Sequence, residues 1–311
     1  MTSPAYPGDQ PRPEPPDGVR GPAGVRARAD VRDHVRERVR EREETQVLVL
    51  LPPSEGKATV RSRTRLDLGA LSLPGLTGAR ATVLHELVAL CSGDTEKARA
   101  ALGLSEGLRG EVAKNAGLLS APVRPAGEIY TGVLYDALGL ATLSPAAKRR
   151  ATRALLVFSG LWGAVGVKDP IPAYRCPAGV RLPGTGPLGA HWRRPLAEVL
   201  PEVAGRGLVL DLRSSSYASM WRPEGELAER TATVRVLQST VVDGVEKRGV
   251  VSHFNKATKG RLVRDLLESG AAPRDPAALA TVLEELGYVV EGSAPEKPGS
   301  AWRLDVIVTE L

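Results

Sequence analysis

The chain is poor in the residues that build metal and disulfide centres. It has two cysteines, Cys91 and Cys176, and four histidines, His34, His85, His191 and His253. No CxxC, HExxH or HxH spacing brings any of them together, so a disulfide framework and a zinc site both lack ligands. No metal and no cofactor are expected. No run approaches the roughly 18 to 20 consecutive apolar residues of a membrane-spanning helix. The N-terminus also lacks the compact apolar stretch of a secretory signal. The expectation is a cytoplasmic protein without a membrane partner. Aromatic residues are scarce too, at 4%, which leaves core packing to Leu, Val and Ala.

What is present is a normal hydrophobic share of 42% and a formal charge of +6 with a pI near 9.5. Such a balance favours polyanions without proving that one is bound. Residues 1–44 hold nine Arg against nine Asp plus Glu, so the whole excess lies in 45–311. The Pro- and Gly-rich opening has little to bury and reads as a disordered tail. The alternating Arg and acids of 25–44 suit a solvated helix with no apolar stripe to dock it. The expected organisation is a charge-balanced tail over 1–44 and one α/β domain over 45–311, with a mixed sheet covered by helices.

Strands are expected at Gln46–Leu51, Ala154–Ser159, Gly207–Leu212, Thr231–Thr240 and Trp302–Thr309, from continuous or alternating apolar runs. Asp243-Gly244 reads as a hairpin turn returning the chain as a strand over Arg248–Phe254. Helical patterns fall at 79–91, 94–102, 106–116, 256–268 and 276–286, with Ser144-Pro145 and Asp275-Pro276 as helix openings. Gly189–Val199 reads as a helix interrupted or opened near Pro195.

Five segments carry the candidate chemistry. Pro52-Pro-Ser-Glu-Gly-Lys57 follows the first strand, where open α/β sheets usually bind ligands, but it lacks Walker A spacing. Gly127–Tyr135 and Ser159–Gly166, the latter leading to Pro170–Arg175, combine glycines with rings. Their spacing departs from GxGxxG, and a packing role fits as well. Asp211-Leu-Arg-Ser-Ser-Ser-Tyr217 offers Arg213, hydroxyls and a ring at a strand exit, and it also reads as a capping turn. Ser252–Arg261 is expected to place Lys256 and Lys259 in the first turn of a helix. Paired cations there oppose the macrodipole unless an anion is bound. Nine of the twelve aromatics lie between Tyr130 and Phe254, interleaved with cations as for base stacking, or buried beneath a glycine-rich layer.

The colinear set PPSEGK, Ile129–Leu134, Ser159–Gly163, Pro170–Arg175, His191-Trp192, Asp211–Tyr217 and His253–Arg261 resembles the YaaA family of peroxide stress proteins over about residues 46–270. The opening motif is longer than the family's proline-alanine-lysine form, and Trp162 replaces the tyrosine of its SGLYG. The resemblance implies a YaaA-like α/β fold with a basic cleft, DNA binding of weak sequence preference, and a part in limiting iron-dependent oxidative damage. Carried over, it points to Lys57, Tyr130, Thr131, Gly132, Ser159, Gly160, Tyr174, Arg175, Trp192, Ser216, Tyr217, Lys256, Lys259 and Gly260. Arg213 completes the set from the residues themselves. The alternative is an enzyme acting on a nucleotide or other small phosphorylated substrate in the same cleft. Lys57 or Tyr217 would then be its acid or base. The family's helix-hairpin-helix element has two compositional matches, Leu73–Gly78 and Leu182–Gly186, and no site is assigned to either.

Overall fold

Strand β1 (Val47–Leu51) is buried at every position, as expected of a continuous apolar run covered on both faces. A computed structural model describes residues 47–242, 245–249, 252–295 and 297–308. The expected tail and the Asp243-Gly244 turn lie outside the described residues. In chain order β1 is followed by α1 (Thr77–Ser92), α2 (Thr95–Ala101), α3 (Gly110–Ala116), β2 (Val123–Pro125), α4 (Ala126–Ile129), α5 (Val133–Leu138) and α6 (Pro145–Ala154). Next come β3 (Leu155–Ser159), β4 (Gly163–Gly166), β5 (Pro170–Pro172), β6 (Arg181–Leu182), β7 (Gly186–Pro187), α7 (Leu188–Ala204), β8 (Leu208–Asp211), α8 (Ser215–Ala218) and α9 (Gly225–Glu229). The chain ends with β9 (Thr231–Val242), β10 (Val245–Gly249), α10 (Ser252–Ser269), α11 (Pro276–Glu285), β11 (Val289–Ser293) and β12 (Trp302–Val308).

The fold is α/β, built on an eight-stranded mixed sheet with the order β11-β12-β9-β8-β1-β3-β4, and β10 pairs with β9. Neighbouring strands from β12 through β3 run parallel. The edges turn antiparallel through β4 on β3 and β11 on β12. The order carries the main consequence for function. From β1 the chain first builds β3 on one side, then crosses to build β8, β9 and β12 on the other. The carboxyl end of β1 is therefore a topological switch point, where diverging connections open a crevice. Pro52–Lys57, the exit of β3 at Ser159 and the exit of β8 at Asp211 all meet this end of the sheet.

Three expectations are corrected. Helix α7 runs unbroken through Pro195 and Pro201. Each proline removes an internal hydrogen bond, but Leu188, Trp192, Leu196, Leu200 and Ala204 recur every four residues and are all buried. Burial of that stripe holds the helix. The returning strand spans Val245–Gly249, and α10 already begins at Ser252. The β-branched pair Val250-Val251 hid the helix-opening serine. Lys256 and Lys259 thus lie beyond the first turn, which removes the macrodipole argument for an anion beside them. The glycine-rich turn expected after Ser159 is present, as a tight hairpin into β4.

Two buried polar residues fasten the sheet's β4 edge to α1 and to the segment that precedes it. Arg80 is fully buried and donates to the carbonyls of Trp162 at 3.0 Å and Ala164 at 2.7 Å. Burial pulls its guanidinium down to about 10, against the pull of Asp169. Asp169 accepts from Ser72 N at 3.0 Å, Ser72 Oγ at 2.6 Å and Gly166 N at 2.9 Å. Of the two hairpin-like strings, Leu73–Gly78 is a 3-10 turn opening α1, and Leu182–Gly186 is the β6–β7 hairpin.

Candidate binding cleft at the switch point

The loop after β1 is stapled to the segment before α5. Lys57 and Tyr130 form an antiparallel bridge, and Ala58 N donates to Ile129 O at 2.9 Å. Thr131 N donates to Ser54 Oγ at 3.0 Å, and the Tyr135 hydroxyl donates to Pro52 O at 2.7 Å. Gly132, at φ 97°, supplies the turn that starts α5, a conformation that L side chains rarely take. These bonds fix Lys57 at the mouth of the sheet.

Beneath Lys57 lies a chain of hydroxyls. Ser159 Oγ accepts from Leu161 N at 3.2 Å and Trp162 N at 3.1 Å, which uses both its lone pairs. Its proton therefore goes to the Tyr174 hydroxyl, 2.6 Å away, and the Tyr174 proton goes to the Tyr130 hydroxyl at 2.9 Å. The relay ends on the Tyr130 proton. Burial raises the pKa of Tyr130, Tyr135, Tyr174 and Tyr217, so these phenols hold their protons at neutral pH.

Lys57 Nζ sits 4.4 Å from the Tyr174 ring centroid and 5.6 Å from that of Tyr130, and it donates to Ser54 O at 3.0 Å. Burial lowers its pKa to about 8; Glu55 partly offsets the drop, while nearby Arg175 adds to it. Arg175 pairs with Glu55 at 3.1 Å, and its backbone is clamped by the Asn115 amide, which donates to Arg175 O at 2.7 Å and accepts from Arg175 N at 3.0 Å. Arg175 Nε is buried and has no hydrogen-bond partner among the described residues. The cavity in front of these groups has a volume of ≈ 550 Å³, and its charged lining is Glu55, Lys57, Glu111, Lys114 and Arg175. Three cations face two carboxylates, so the lining is mixed in sign.

The family match covers residues 47–294 and is to peroxide stress protein YaaA. The chain belongs to the peroxide stress protein YaaA family. A UPF0246 protein of Streptomyces coelicolor is 67% identical over 265 residues, spanning 85% of this chain and 100% of the relative. UPF0246 proteins of Corynebacterium efficiens and Corynebacterium glutamicum are 41% identical over 249 residues and 40% over 266, covering 79% and 84% of this chain and 95% and 100% of those relatives. The matched span holds every candidate residue from Lys57 to Gly260.

The YaaA-type motifs divide into two groups by position. Lys57, Tyr130, Thr131, Gly132, Ser159, Tyr174 and Arg175 converge on the switch point through the contacts above. Tyr217 joins them, buried within electrostatic reach of Glu55 and Tyr130. Lys259 lies at the exit of β8, with Nζ 3.4 Å from Leu212 O, and burial lowers its pKa. Asn255 Oδ1 and Thr258 Oγ1, on the same helix, are buried without partners among the described residues.

The remaining candidates serve the scaffold or face solvent. Trp192 is fully buried and donates from Nε1 to Gly160 O at 2.8 Å. Gly160 and Gly260 are sites of close approach: a Cβ on either would overlap a backbone oxygen, of Cys176 and Leu134 respectively. Arg213 is buried in an ion pair with Asp211 at 2.6 Å and stacks over Phe158, 4.2 Å from the ring centroid. Ser216 and Lys256 are exposed. Sequence reasoning did not select Glu55, Glu111, Asn115 or Tyr135. Only Glu55 and Tyr135 carried a signal, being inside the quoted motifs.

Among the described residues no group of three or more His, Cys, Asp or Glu is placed to hold a metal ion. No helix among them is long and apolar enough to cross a membrane.

Proposed function

We propose that this chain serves the peroxide stress response by binding DNA with weak sequence preference, its switch-point cleft receiving one unpaired nucleotide unit. The observation that carries this reading is Arg175, whose side chain lines a ≈ 550 Å³ cavity beside Lys57 and whose buried Nε has no hydrogen-bond partner among the described residues. That volume lies in the range of small-ligand pockets and suits one nucleotide rather than a duplex. A phosphate would draw Arg175 from Glu55 into a charge-assisted fork, and the sugar or base would lie toward the Tyr174 face. The net positive charge of 45–311 would add backbone attraction outside the cleft. In this reading occupancy of damaged or unpaired DNA limits the harm done by iron-driven peroxide chemistry.

The test is fluorescence-anisotropy titration of the full chain with single-stranded, mismatched and duplex DNA at several salt concentrations. Binding that prefers unpaired sites, falls with salt and weakens in Arg175→Met supports the reading. Affinity unchanged in Arg175→Met would remove the cleft from it.

A second reading, an enzyme acting on a nucleotide or other small phosphorylated substrate in the same cleft, is favoured by Lys57 itself. An amine that titrates at about 8 is available as a base or nucleophile near neutral pH. Stoichiometric binding of a mononucleotide that survives moderate salt, without DNA binding, would select it.

A further inference from the structure

We propose that Lys57 forms an imine with an aldehyde on a phosphorylated sugar held in the cleft, a proposal that rests on the reading of this cleft as a site for a nucleotide-sized phosphate ligand. The geometry supplies each part. Lys57 lines the cavity and is held by its bond to Ser54 O, so the amine is presented from a fixed stem. Arg175, with its unpartnered Nε, provides the anchor for a phosphate on the same cavity wall. The Tyr174 ring face lies 4.4 Å from Nζ and stabilises a cation placed there, ammonium or iminium alike. Glu55 adds a carboxylate on the same side. Below the amine, the Ser159–Tyr174–Tyr130 relay ends on a hydroxyl proton.

The step balances without a cofactor. The neutral amine adds to the carbonyl carbon, making the C–N bond and moving the π electron pair onto oxygen. That oxygen takes one proton from the amine, through water, and one from solvent, and it leaves as water. The nitrogen keeps its remaining hydrogen as an iminium.

Its electrostatics set the expected selectivity. At pH 7.5 an amine titrating at about 8 is roughly one quarter neutral, against about one part in a thousand for a surface lysine. Lower basicity reduces nucleophilicity by about a decade on a typical Brønsted slope. The net preference for Lys57 over a surface lysine is roughly 25-fold.

The experiment is reductive trapping with sodium cyanoborohydride on the full chain, followed by peptide mass mapping. Three probes are used: a single strand with an aldehydic abasic site, the same strand with a tetrahydrofuran analogue that has no aldehyde, and free 2-deoxyribose 5-phosphate. An adduct on Lys57 with an aldehyde probe, absent with tetrahydrofuran and lost in a folded Lys57→Arg variant, is the result expected. Trapping by the abasic strand alone places the sugar on nucleic acid, and trapping by the free sugar phosphate places it on a small metabolite. Adducts spread over surface lysines, or unchanged in Lys57→Arg, overturn the imine. The readings of the cleft fail separately. A tetrahydrofuran strand bound in anisotropy while no probe is trapped sinks the imine and leaves DNA binding standing. Trapping of the free sugar with no strand bound sinks DNA binding and leaves the imine standing.

Discussion

Replacing Lys57 by methionine should make the protein more stable at neutral pH, and the gain should fade as pH rises. Burial holds the Lys57 amine at about 8, below its ordinary value of 10.5. A group with a depressed folded pKa binds fewer protons folded than unfolded between those two values, so wild-type stability climbs as pH rises through that window. At pH 7 the protonated amine costs about 3 kcal/mol, at 1.36 kcal/mol per pKa unit. Methionine fills similar volume and removes that cost. It also gives up the bond to Ser54 O and the Tyr174 ring contact, together about 1–2 kcal/mol. The expected net gain at pH 7 is about 1–2 kcal/mol, and the linkage makes it about 2 kcal/mol smaller at pH 9.5. Urea unfolding of both proteins at the two pH values measures the difference. A variant that is less stable at pH 7, or whose advantage does not change with pH, would refute a buried, strained ammonium at this position. A residue kept at a cost to stability marks a functional site.

Other substitutions test the scaffold. Arg80→Met leaves the carbonyls of Trp162 and Ala164 without their buried donor and should cost about 2–4 kcal/mol in urea unfolding. Asp211→Asn strands the buried Arg213 charge and should cost about 3–5 kcal/mol, with the added change Arg213→Met recovering part of it. Gly260→Ala drives a methyl into the Leu134 carbonyl and should cost about 1–3 kcal/mol. If Gly260 has only this packing role, DNA affinity of the folded fraction stays unchanged.

Strands β1, β3 and β8 were legible because they are buried on both faces and read as short apolar runs, while β9 and β12 were legible from alternation. With β1 read as preceding a Gly-Lys loop, the end of the sheet at which the candidate cleft lies followed. Part of what stayed hidden depends on partners distant in the chain, and part on which way a side chain turns. Arg80 looks like any solvent-facing helix arginine until Trp162 and Ala164, more than eighty residues away, supply its acceptors. Arg213 sits in a motif rich in hydroxyls, yet its partner is Asp211, two residues back. Local composition does not show which way a strand-exit side chain turns. Trp192 and Gly260 are motif residues whose role is packing, and a motif string does not separate packing from contact. The continuity of α7 through two prolines depends on a buried stripe that local propensity does not weigh.

The most direct test of the cleft is a crystal structure of the full chain with a short single strand or thymidine 5′-phosphate. The account predicts a phosphate oxygen within hydrogen-bond distance of Arg175 Nε, with the sugar or base toward Lys57 and the Tyr174 ring. A phosphate bound on the exposed face of α10 at Lys256, with the switch-point cavity left to water, would contradict it.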